Sequence, residues 1–119
     1  MKKLLPILII LMVSLSTKAQ KLTPPHFRGG DKAFHDFLDQ NLKWPKDSLV
    51  KQGIVKVSFY VESNGLLSGI KLVQGFAPEF DKEALRVINL SPRWVPATRD
   101  GKFIKSKYSV PILYESIEL

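Results

Sequence analysis

Hydrophobic and polar positions change rhythm several times along this chain. From Asp31 to Leu42, Ala33, Phe34, Phe37, Leu38 and Leu42 recur at helical spacing. The pattern predicts a helix with Asp31 at its start. Trp44-Pro45 ends it, because the residue before a proline avoids the helical region. From Gly53 to Glu62 the rhythm becomes strict alternation. Val55, Val57, Phe59 and Val61 lie on one side, with Ile54, Lys56, Ser58, Tyr60 and Glu62 on the other. This predicts a half-buried strand. Ser63-Asn64-Gly65 reads as a hairpin turn with cheap positive φ. Leu66 to Gln74 is the returning strand, with Ile70 and Leu72 inward.

Helical spacing returns at Pro78 to Leu90, where Phe80, Ala84, Val87 and Ile88 form a buried stripe before Ser91-Pro92. Arg93 to Gly101 lacks a period and reads as an irregular loop. Lys102 to Glu115 alternates again as one long strand. Its Ile104, Tyr108, Val110, Ile112 and Tyr114 face inward, and Lys105, Lys107, Ser109, Pro111 and Leu113 face outward. The order is α-β-β-α-β. The hairpin makes the first two strands neighbours, and the second helix returns the chain along the sheet. The expected fold is α+β in two layers. A three-stranded antiparallel sheet, order 2-1-3, carries both helices on one face.

The first residues obey different rules. Lys2 and Lys3 precede an apolar run from Leu4 to Leu15, broken only by Pro6 and Ser14. Thr17 and Ala19 are small residues before Gln20. That layout predicts a signal peptide over 1–19 and an exported chain. The run is short for a spanning helix, which needs about twenty residues. An uncleaved membrane anchor is the competing reading. Residues 20–30, with Pro24, Pro25, Gly29 and Gly30, form an irregular lead-in to one domain over 31–119.

Charge and candidate chemistry narrow the function. The formal charge of the 119 residues is +7. Lys2, Lys3 and Lys18 lie in the leader, which leaves fifteen basic against eleven acidic residues, a net +4. That is too mild to indicate nucleic acid. Without cysteine there is no disulfide, thiol nucleophile or lipoprotein anchor. His35, Asp36 and Asp39 share a helical segment, but two ligands on one face do not make a zinc site. No serine occupies a Gly-x-Ser-x-Gly setting. The sequence predicts no enzyme, metal or cofactor.

The ordered set of motifs resembles the TonB C-terminal domain family. Phe27-Arg28-Gly29-Gly30 comes first, followed by Trp44-Pro45, Asn64-Gly65, and Asp81 with Ala84-Leu85-Arg86. Pro92-Arg93-Trp94-Val95-Pro96-Ala97, Gly101-Lys102 and Tyr108-Ser109-Val110-Pro111-Ile112 complete the set, over about residues 27 to 115. The resemblance implies a periplasmic binder of TonB-dependent outer-membrane receptors. In the family, a receptor segment adds as a strand beside the domain's last strand. Carried over residue by residue, the candidates are Asn41, Trp44, Pro45, Ile104, Lys105, Ser106, Lys107, Tyr108, Ser109 and Val110. Family members that transduce energy have a membrane helix, meeting an ExbB–ExbD-type motor, and a proline-rich spacer. Here only a signal peptide and Pro24-Pro25 stand in their place, so any link to that motor would run through other subunits. An adaptor or competitor for extended peptides, with no motor, is the alternative. An open edge also permits a homodimer by strand pairing.

The last strand carries its own positional information. Pro111 has no N–H, so its backbone should face away from the neighbouring strand. Alternation then turns the backbone groups of Lys105, Lys107 and Ser109 to the free edge. The bland reading of the two lysines is protection of that edge from aggregation. Trp44 and Trp94 read either as contact aromatics or as packing residues.

Overall fold

The computed structural model describes residues 20–45 and 52–115. The predicted leader, 1–19, lies outside the described residues. Eight elements follow in order. They are β1 (Leu22–Thr23), α1 (Gly30–Asn41), β2 (Gln52–Val61), β3 (Leu67–Gln74), α2 (Pro78–Asn89), β4 (Ala97–Arg99), β5 (Lys102–Ile104) and β6 (Ser106–Glu115).

The main sheet has order β3-β2-β6 and is antiparallel throughout. This is the expected order, with the first long strand central. Val55, Val57, Phe59 and Val61 are buried on its inner face beside Val110, Ile112 and Tyr114. The inner stripe of α2 (Phe80, Ala84, Val87 and Ile88) packs on them, and α1 adds Phe34 and Leu38. Both helices therefore cover one face. Two breaks in register mark the β2–β3 ladder, one beside Val73 and one beside Gly69. The second lets Ile70 keep its inward position while Gly69 passes against the Tyr60 ring.

Trp94 sits at the hub of this core. Its ring centroid lies 5.1–5.6 Å from those of Phe27, Phe34, Phe59 and Tyr108, and its indole N–H donates to Ser91 Oγ at 2.9 Å. Only 2% of the residue is exposed, so Trp94 is a packing residue. Phe76, Phe80, Tyr114 and Trp44 form a second aromatic group at the far end of the sheet. Gly53 makes room for it, since a side chain there would overlap the Phe76 ring.

Four expectations require correction. The strand expected over Lys102–Glu115 is broken at Lys105. Asp100 and Gly101, at φ 51 and 84, make a two-residue turn between Arg99 and Lys102, and β5 folds back on β4 rather than continuing along β2. The loop expected over Arg93–Gly101 thus contains a strand. The lead-in is not wholly irregular, because β1 pairs with β4 in a second small sheet and Phe27 enters the core. Asp31 does not cap α1. Gly29, left-handed at φ 90, precedes the helix, and Asp31 lies in the first turn, where its charge favours the helix dipole.

The 63–65 turn also differs in detail. Positive φ falls on Gly65 and not on Asn64. The Gly65 N–H donates to the Glu62 carbonyl at 2.8 Å, and Asn64 Oδ1 accepts from the Leu66 N–H at 3.0 Å. The loop is the expected three residues, Ser63 to Gly65, closed by a left-handed glycine.

Candidate functional site

β6 has β2 on one side and no strand on the other among the described residues. Pro111 stands directly opposite Lys56 in that ladder. A directly opposed antiparallel pair either exchanges both backbone bonds or neither. Proline has no donor, so this pair exchanges neither, and the backbone of Pro111 turns outward. By alternation Lys107 and Ser109, opposite Tyr60 and Ser58, turn theirs outward too. Tyr108 and Val110 bond inward, and their side chains reach the core or its margin. The edge offers N–H and C=O from Lys107 and Ser109, and C=O alone from Pro111.

A groove lies at each end of this edge. One, of about 480 Å³, runs between Leu22–Pro25 and Ile104–Ser106. The Ser106 hydroxyl is buried there without a hydrogen-bond partner. The other, of about 510 Å³, lies between α1 and the end of β6. His35, Leu38, Asp39 and Leu42 form its helix wall, facing Pro111, Leu113 and Glu115. Leu113 is seven steps along the strand from Ser106, which is roughly 24 Å.

The candidate residues divide between these ends. Ile104 belongs to β5, paired with Ala97, and Lys105 lies between the two strands. Lys105 Nζ is 3.4 Å from the Glu62 carboxylate and 4.8 Å from the Tyr60 ring centroid. Ser106 to Val110 line the edge. Trp44 is at the opposite end, with its ring against Phe80 and Tyr114 and 38% of the residue exposed. The structure therefore does not bring Trp44 to Lys105. They flank one edge. Pro45 follows Trp44 and is half-buried. One side-chain N–H of Asn41 donates to the Phe37 carbonyl at 2.8 Å, inside its own helix. Sequence reading missed Leu38, Asp39, Leu42 and Leu113 as walls of the second groove. No local signal could show that α1 lies beside this edge.

A network from α2 holds the Asn41–Trp44 segment. Arg86 donates to Glu83 through two nitrogens at 2.7 Å and to the Asn41 carbonyl at 2.8 Å. The Lys43 N–H donates to Glu83 at 2.6 Å. Arg86 first, and then the Lys43 N–H, hold the Glu83 carboxyl below its ordinary value of 4.5. A depressed carboxylate adds stability above its unfolded pKa and loses it as pH falls through the folded one. Glu83→Gln is accordingly expected to lower the urea midpoint at pH 7. The deficit should shrink once wild type is taken below pH 4, which urea titrations across that range measure. Glu62 is lowered likewise, by the Ser68 hydroxyl and then Lys105.

Comparisons with known proteins agree with this architecture. The family model described as Gram-negative bacterial TonB protein C-terminal matches residues 46–116. That span holds the whole main sheet, α2 and the β4–β5 hairpin. The NMR solution structure of the Helicobacter pylori TonB C-terminal domain superposes with a TM-score of 0.52 at 22% identity, covering 71% of this chain and 78% of that one. At that identity the likeness is one of fold. No curated protein matches. The family is one of transport and interaction domains of the cell envelope, which gives the protein a TonB-like role in TonB-dependent transport. On the match over residues 46–116, the chain belongs to the TonB C-terminal family.

Proposed function

We propose that the protein works in the periplasm by taking an extended segment of an outer-membrane receptor as an added strand along β6. The observation that carries this reading is the free edge from Lys107 to Pro111, with its outward backbone groups and a groove at each end. Such an edge is completed by a partner's main chain. Each main-chain bond nets about 1 kcal/mol, and association costs about 4–15 kcal/mol. The edge alone would hold a segment weakly. Affinity then depends on side chains filling the grooves, which favours a segment of about eight residues, enough to span roughly 24 Å.

The test is an amide NMR titration of residues 20–119 with peptides copied from the periplasmic ends of TonB-dependent receptors. Shifts should centre on Lys107 and Ser109, with smaller ones at Leu42 to Trp44. Ser109→Pro removes one outward N–H without touching the β2 ladder, as Pro111 already does. It should leave the spectrum folded and weaken binding at least severalfold, since one bond is worth about 1 kcal/mol. Absence of shifts at millimolar peptide would sink the reading and favour an adaptor for other extended chains.

A further inference from the structure

The face of the main sheet opposite the helices has no cover among the described residues, and its charge is mainly positive, with Lys56, Lys71, Lys105 and Lys107 against Glu62 and Glu115. The strand registers show why. Lys71 of β3 stands opposite Ser58, and so does Ser109 of β6. Lys56 precedes Ser58 by one pleat, and Tyr60 follows it, with Lys107 opposite Tyr60. Lysines from all three strands therefore surround the buried Ser58, and all of them are exposed. The Tyr60 ring lies under two ammonium groups, Lys105 at 4.8 Å and Lys107 at 6.0 Å from its centroid. Two acids share this face: Glu62, engaged by Lys105 and Ser68, and Glu115 at the far end beside Leu113. Toward the other end, Ile54 and Leu113 stand opposite one another, both well exposed, next to Pro111.

The helix layer has the opposite sign. α1 and α2 carry Asp31, Asp36, Asp39, Glu79, Asp81 and Glu83 against Lys32, Lys82 and Arg86. The domain is thus electrically polarised across its two layers. A negative plane would attract the sheet face and repel the helices, so the molecule would approach in one orientation. Flexible lysine stems, an interfacial tyrosine and a few apolar side chains on a broad face fit lipid headgroups. An acidic peptide would need only the row of cations, and the exposed Ile54–Leu113 end would go unused.

We propose that this helix-free face docks on an anionic phospholipid surface through Lys56, Lys71 and Lys107, with Tyr60, Ile54 and Leu113 at the headgroup boundary. Ile54 and Leu113 also line the second groove, but Lys56 and Lys71 lie clear of it, so variants of these two lysines let the two readings fail separately.

Residues 20–119 contain the entire core from Phe27 to Tyr114 and serve for the test. Their binding is measured by co-sedimentation with phosphatidylcholine vesicles, with and without roughly one third phosphatidylglycerol. Binding should require the anionic lipid and fade between about 0.05 and 0.5 M salt. Each lysine removed should weaken it about fivefold, so Lys56→Gln with Lys71→Gln should cost about 25-fold. Lys82→Gln, on the helix layer, should change nothing. The double variant keeps an intact β6 edge and should bind receptor peptide like wild type. Equal binding to neutral and anionic vesicles, or unchanged binding by the double variant, would overturn the proposal. So would capture of a short polyglutamate peptide by a protein that ignores the vesicles.

Discussion

Trp94→Ala is expected to remove about 3–5 kcal/mol of folding stability. The indole is almost fully buried and touches aromatic rings from the lead-in, α1, β2 and β6 at once. Alanine leaves a void among four rings anchored on four separate elements, so the walls cannot close on it together. The Ser91 hydroxyl loses its indole donor as well. A domain of this size has about 5–15 kcal/mol in total. Urea unfolding followed by Phe and Tyr fluorescence or circular dichroism should show a fold at the margin of stability. A loss below 1 kcal/mol would mean that the hub is held by other contacts.

Gly65→Ala is expected to cost about 3 kcal/mol, from two independent penalties. Its φ of 90 is left-handed, which costs an L side chain about 1–2 kcal/mol. A methyl group there would also overlap the Trp94 carbonyl oxygen, and pushing aside packed backbone costs about 1–3 kcal/mol. The Gly65 carbonyl accepts the Trp94 N–H at 2.9 Å, so the hairpin tip and the tryptophan move as a unit. Gly65→Ala combined with Trp94→Ala should therefore cost less than the two losses added, because the first already displaces what the second removes. Strict additivity in denaturant midpoints would show that the tip and the hub are uncoupled.

Legibility in the sequence followed the length of each element. β2 and β6 alternate over ten residues each, and their buried faces were read residue by residue from Val55 to Val61 and from Tyr108 to Tyr114. β1, β4 and β5 have two or three residues, too few to show a period. One signal for them was present. Asp100-Gly101 is a strong hairpin dipeptide, and it marks the turn that folds Lys102–Ile104 back on Ala97–Arg99. The site was legible where backbone chemistry controls it, through the missing N–H of Pro111. It was not legible where distant elements meet. The wall that Leu38 and Leu42 form beside Leu113 depends on how α1 settles on the sheet.

The small sheet has a mechanical consequence. The chain preceding Leu22 enters the fold through a two-residue strand, held by β4 and by the Lys21–Asp100 backbone and side-chain bonds, which join positions 79 residues apart. A pull applied from the N-terminal side loads this clasp, and then the His26–Val95 bridge, before it reaches Phe27 and the aromatic hub. Two ladder rungs are far weaker than the ten-residue β2–β6 ladder behind them. Under tension the lead-in should peel away first and lengthen the chain leading to the core by several residues. The main sheet, with whatever lies along its edge, stays folded at the end of it.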